Sequence, residues 1–154
     1  NGIAFRDALE RAGIKTRVMS AISMSGIVEH YDRRLAIQLL EDGYVVIFTA
    51  GTGNPFFTTD TAGCLRAIET QSNLMLKATR VDGVYDSDPE VNENAKFYPE
   101  LSFDEAINKN LKVMDATALT LARDHKLPIK VFNVNTPNAL KDIICGEKIG
   151  TLIS

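Results

Sequence analysis

Two short stretches carry residue types that can handle phosphate. The first is TAGTGNPFFTTD, residues 49–60. An apolar, β-branched run ends there in Gly51, Thr52, Gly53, Asn54 and Pro55. Phe56, Phe57, Thr58, Thr59 and Asp60 follow. Gly51 and Gly53 permit positive φ and close backbone approach to a ligand. The pattern reads as a buried strand, a glycine-rich loop and a helix N-terminus. Ligands collect at such strand ends in open α/β sheets. Backbone N–H groups and the positive end of the helix dipole suit an anion there. Phe56 and Phe57 can pack on a planar base, and Thr58 and Thr59 can donate to phosphate oxygens. The plain alternative is a strand-to-helix turn with two core phenylalanines. The spacing is neither GxGxxG nor a P-loop.

The second stretch is KATRVDGVYDSDP, residues 77–89. It also begins at a strand end. Lys77 can neutralise a phosphoryl group, Thr79 can hydrogen-bond a nucleotide, and Tyr85 can flank a base. Asp82 and Asp88 suit either structure or a cation. An Asp-Gly turn followed by Asp-Pro equally describes a surface loop. Asp60 and Asp115 both fall at helix starts, where a carboxylate is stabilised whatever else it does. Arg123-Asp124-His125 reads as a charged helix end. His30 and His125 are far apart in sequence and give metal binding no support.

These stretches need a scaffold of alternating elements. Apolar residues at 3, 5, 8, 9 and 12 predict a helix stopped by Gly13. A short strand follows over 15–21, then a loop over 22–32 with room for a short extended piece, and an amphipathic helix over 33–42. A strand over 44–49 leads into the glycine loop. Thr58 or Thr59 caps a helix over about 60–70, with Ala62, Leu65 and Ile68 inward. A strand is expected over 73–79 and an irregular loop over 86–99. Ser102 and Glu105 form a capping box that opens a helix to about 109. A helix over 115–125, a strand over 128–134, a helix opened by Pro137 and a strand over 150–154 complete the chain. Strands separated by helices imply βαβ units and a mainly parallel sheet.

Bulk properties narrow the classes. The 154 residues are 45% hydrophobic and 24% charged, enough apolar material for a core in one domain. A net charge of -3 argues against a general nucleic-acid footprint. No apolar run approaches membrane-spanning length. Cys64 and Cys145 are read as buried free thiols in a reducing compartment. Residue 1 is Asn and a helical pattern already runs at residue 3, so the chain reads as starting inside a larger protein.

Taken together, TAGTGNPFFTTD, KATRVDGVYDSDP, LKVMD at 111–115, TLARDHKLPI at 120–129 and GEKIGTLI at 146–153 resemble the bacterial uridylate kinases of the amino acid kinase superfamily. The resemblance runs from NGIAFRDAL onward. It implies an α/β, three-layer αβα fold of the carbamate kinase-like type with a mainly parallel sheet, here one domain over 1–154. It also implies ATP-dependent phosphorylation of UMP to UDP in pyrimidine nucleotide synthesis, with Mg2+ as the ATP complex. By position, Thr52, Gly53, Asn54, Pro55, Phe56, Phe57, Thr58 and Thr59 would hold UMP. Thr79, Tyr85 and Asp88 would contact ATP. Asp60, Lys77 and Asp115 would be catalytic. Family membership further implies a cytoplasmic homohexamer, activated by GTP and inhibited by UTP.

The departure is at the start. The Lys-Leu-Ser-Gly first-strand motif, the Gly-Gly-Gly-Asn phosphate loop and a ribose-binding aspartate of these enzymes have no counterpart between Asn1 and Ser154. The resemblance therefore covers a family member without its N-terminal third, and little or no kinase activity is expected of these 154 residues alone. The rival expectations are a superfamily kinase acting on an amino acid, carbamate or isopentenyl phosphate, and a non-catalytic nucleotide-binding domain.

Overall fold

The strand Thr16–Ser20 (β1) is the middle of a three-stranded parallel sheet. Its residues alternate toward the core except at its end, where Val18, Met19 and Ser20 are all buried. Glu29–His30 (β2) pairs on one side and Val45–Thr49 (β3) on the other, with Val18 opposite Ile47 and Met19 opposite Phe48. The computed structural model describes residues 1–154, whose contacts group into two compact units, Asn1–Gln71 and Ser72–Ser154.

The first unit adds three helices to this sheet. Gly2–Arg11 (α1) has the expected helical period, yet none of its residues is buried and Phe5 is 60% exposed. Arg33–Glu41 (α2) is capped by Asp32, whose side chain accepts the Leu35 N–H at 2.8 Å. It buries Ala36 and Leu39 against Met19, with Tyr31, Tyr44, Val46 and Phe48 packed around them. Thr59–Glu69 (α3) follows the glycine loop.

Two expectations are corrected in this unit. The strand β3 is not buried: Val45 is exposed and the rest half-buried, because β3 lies at the sheet edge with one strand neighbour. The buried residues of α3 are Thr61, Ala62, Cys64 and Arg66, while Leu65 and Ile68 are half-buried. Arg66 is taken inward because a ring and a carboxylate receive its guanidinium.

The second unit contains Met75–Thr79 (β4), Val84–Tyr85 (β5), Phe97–Tyr98 (β6), Glu100–Leu101 (β7), Ile129–Asn133 (β8) and Thr151–Ile153 (β9). One sheet runs β4-β8-β9-β7: β4 is parallel to β8, β7 is parallel to β9, and β8 and β9 are antiparallel. Its helices are Phe103–Asn108 (α4), Ala116–Asp124 (α5) and Ala139–Ile144 (α6). The capping box at Ser102 and Glu105 is present. Phe132, Ala139 and Ile143 form a core cluster with Leu76 and Ile149.

Here too there are corrections. The 86–99 stretch is not wholly irregular: β6 pairs antiparallel with β5 across the long 86–96 connection. Asp86 closes that connection, accepting the Lys96 N–H at 2.9 Å through Oδ1. Pro137 does not open α6; Asn138, at φ 62°, precedes its first residue. Cys64 is buried but Cys145 is exposed, since it lies just past the end of α6. The α/β class and the mainly parallel pairing agree with the sequence.

Candidate functional site

The site on the first unit is the turn from β3 to α3. Ala50, Gly51, Gly53 and Phe56 all have left-handed φ, between 61° and 78°. The Gly53 N–H donates to the Ala50 carbonyl at 3.1 Å, and the Asn54 N–H donates to Thr52 Oγ1 at 3.1 Å. A Cβ at Gly53 would sit 3.0 Å from the Ala21 carbonyl oxygen, so close packing as well as φ calls for glycine there. Such left-handed turns aim successive N–H groups at a common concavity suited to anions. Thr58 caps α3, accepting the Thr61 N–H at 3.2 Å, and Asp60 lies in its first turn.

Both rings of the aromatic pair face solvent. Phe56 is 103% and Phe57 52% exposed. Neither is a core residue, so the turn presents two rings, two threonines and a helix N-terminus to solvent.

Behind the turn lies a group that sequence reasoning missed. Arg66 is 8% exposed, with its guanidinium carbon 3.8 Å from the Tyr31 ring centroid. It is paired with Glu69, and its Nη2 donates to the Gly51 carbonyl at 3.4 Å. Tyr31 Oη donates to Glu69 at 2.7 Å. Burial, and then this bond to a carboxylate, push the Tyr31 phenol up to about 12. The only sequence signal was an arginine at an inward position of an otherwise apolar helix face.

The site on the second unit is a cleft of about 460 Å³ at the end of β4, whose walls include Thr79, Tyr85 and Asp88. The structure thus brings these three predicted residues together. Thr79 Oγ1 donates to the Val81 carbonyl at 2.7 Å and approaches the Phe132 carbonyl at 3.3 Å, so its hydroxyl shapes the strand exit. Tyr85 meets Phe97 edge-on, ring centroids 5.3 Å apart. Asp88 Oδ1 accepts the Glu90 N–H at 2.9 Å. Asp86, also in the wall, is held below the usual carboxylate range, chiefly by the Lys96 N–H. Leu111, Lys112 and Val113 form part of the wall as well, which sequence reasoning did not anticipate. Lys112 offers a cation there.

Three predicted residues of this unit lie outside this cleft's walls, one of them Asp82, whose Oδ1 accepts from Asn133 Nδ2 at 3.0 Å. Lys77 is half-buried within β4, opposite Val131. Asp115 is the N-cap of α5 and accepts the Ala118 N–H at 3.0 Å. No three His, Cys, Asp or Glu side chains converge as a cation cage. No helix is long and apolar enough to cross a membrane.

The chain belongs to the amino acid kinase family, whose profile matches residues 2–133. Among individual proteins it is similar to the uridylate kinase of Marinobacter nauticus, 61% identical over 99% of this chain and 63% of that protein. The uridylate kinase of Colwellia psychrerythraea is 60% identical over 100% of this chain and 62% of its own length. The crystal structure of UMP kinase from Bacillus anthracis superposes with a TM-score of 0.97 at 42% identity, covering 100% of this chain and 64% of that one. The chain therefore spans less than two thirds of the length of these relatives.

Proposed function

We propose that this chain is part of an ATP-dependent UMP kinase that forms UDP for pyrimidine nucleotide synthesis. The observation that carries the reading is the solvent-facing turn 51–59, with its left-handed backbone, two exposed phenylalanines and capped helix start. The chain as a whole is 61% and 60% identical to two relatives named uridylate kinase, which supports the reading. UMP lies along Thr52–Thr59, its base against Phe56 or Phe57 and its phosphate toward the N-terminus of α3. ATP takes the cleft of Thr79, Tyr85 and Asp88.

Transfer is in line, from the γ-phosphoryl of ATP to an α-phosphate oxygen of UMP, with no covalent enzyme intermediate. Catalysis of this kind is positioning plus electrostatic stabilisation. Backbone N–H groups of the turn, Thr58, Thr59 and Lys77 supply the donors. Asp60 and Asp115 orient charged groups. Mg2+ enters with the nucleotide phosphates, as its reluctance to shed water favours. The protein works as a single-domain subunit of a cytoplasmic homohexamer, activated by GTP and inhibited by UTP.

UDP formation from UMP and ATP by the intact protein tests the reading, with carbamate, amino acids and isopentenyl phosphate as rival acceptors. Turnover of a rival acceptor and none of UMP would overturn it. Nucleotide binding without any turnover would instead favour a non-catalytic nucleotide-binding domain.

A further inference from the structure

The guanidinium of Arg66 has three partners, and only one belongs to the candidate site. Glu69, one turn on in α3, neutralises it. The Tyr31 ring lies beneath it at 3.8 Å. The Gly51 carbonyl accepts from its Nη2 at 3.4 Å. A paired and buried guanidinium is a poor phosphate ligand, because its charge is already spent and its donors face inward. It is a good clamp: the planar fork makes several directed bonds at once, which an ammonium cannot do.

What it clamps is a turn that packs against Ala21 at Gly53 but is otherwise largely exposed. Around Gly51 and Gly53 the main chain is left-handed, and residues 53–59 are exposed. A Cβ at Gly51 would have one neighbour, Ala62 at 3.9 Å. Internal bonds of the turn are few and local, chiefly Gly53 N–H to Ala50 and Asn54 N–H to Thr52. Arg66 ties this turn to the body of its unit. Tyr31 extends the tie, since its own N–H donates to the Ser20 carbonyl at the end of β1 at 2.8 Å.

From this geometry we propose that Arg66 is a positioning residue for the 51–54 turn, acting through the Gly51 carbonyl and held in place by Tyr31 and Glu69. It touches no substrate. It keeps the turn in the conformation that receives the acceptor phosphate. The kinetic part of this inference rests on the UMP kinase reading; the conformational part does not.

The test uses the intact protein as wild type, Arg66→Met, Arg66→Lys and Tyr31→Phe. Hydrogen exchange is read at the Gly53 and Asn54 amides, with Val18 and Met19 in the β1 ladder as internal reference. Loss of a hydrogen bond from a charged donor predicts that Arg66→Met speeds loop exchange about tenfold over the reference amides. Arg66→Lys should fail to restore it. Equal acceleration of loop and ladder, or no acceleration of the loop, would overturn the inference. If Arg66→Met does not fold, Tyr31→Phe decides: it removes one hydroxyl, and about two- to threefold faster loop exchange is expected, with no change overturning the idea. In the kinetic arm, Arg66→Met lowers kcat/KM for UMP about tenfold while KM for ATP stays within about twofold. A wild type that forms no UDP would sink the functional reading and leave the exchange result to judge Arg66 alone.

Discussion

The Val84 N–H donates to Thr151 Oγ1 at 2.8 Å, deep inside the second unit. Thr151, fully buried, donates its own hydroxyl hydrogen bond to the Tyr98 carbonyl. One hydroxyl thus joins β5, β6 and β9 and sets the strand on which Tyr85 enters the cleft. Gly83 makes the approach possible, for a Cβ there would lie 2.5 Å from Thr151 Oγ1 and 2.8 Å from the Phe97 ring.

Gly83→Ala should therefore destabilise the protein by about 1–3 kcal/mol, the usual cost of forcing atoms into a packed interior. A urea midpoint shifted down at constant slope is the expected result. An unchanged midpoint would mean that β5 moves freely away from Thr151.

Asp60 offers a kinetic prediction. In the intact protein Asp60→Asn should lower kcat more than it raises KM for UMP, as expected of a group that acts mainly in the transition state. A change confined to KM would make Asp60 a binding or structural residue.

Asp115 separates capping from chemistry. Asparagine caps helices as well as aspartate does, whereas alanine costs about 1 kcal/mol. Asp115→Ala should lower stability by that amount and Asp115→Asn should not. If Asp115→Asn still lowers kcat in steady-state assays, the carboxylate charge matters beyond the cap.

Tyr31 carries a pH dependence with a definite sign. Its phenol is raised from 10.0 to about 12 in the folded protein, first by burial and then by Glu69. The folded state keeps the proton where the unfolded chain releases it, so this contribution is whole below pH 10 and is lost as pH rises through about 12. Thermal melts of wild type and Tyr31→Phe should converge in stability over that window. Parallel curves would mean that the folded protein does not raise the phenol, through burial or through Glu69.

Much of the scaffold was legible because local chemistry declared it. Thr58, Ser102 and Asp115 cap helices where capping residues precede apolar periods, and Asp32, not read from the sequence, does the same. The glycine turn was legible because glycine takes up positive φ readily, as Gly51 and Gly53 do. What escaped depends on distant partners. Strand β6 shows only two ladder residues and is defined by its pairing with β5, and β7 by its pairing with β9. Apolar period says that α1 is a helix, but not whether anything covers it. Leu111 to Val113 reach the cleft through tertiary folding, and no spacing rule links them to Tyr85. Arg66 escaped because its ring and carboxylate partners cannot be seen in a helical wheel.

The run of left-handed residues at 50, 51, 53 and 56 also bears on how this protein can be altered. Two of the four positions, Ala50 and Phe56, carry side chains that adopt this conformation at a cost, and asparagine or glycine would adopt it more readily. A saturation library across 50–56, sorted for folding alone, should drift toward those two residues at both sites. Where sorting for turnover retains phenylalanine at 56, the ring is kept in spite of the backbone, and the difference between the two libraries measures how much work that ring does.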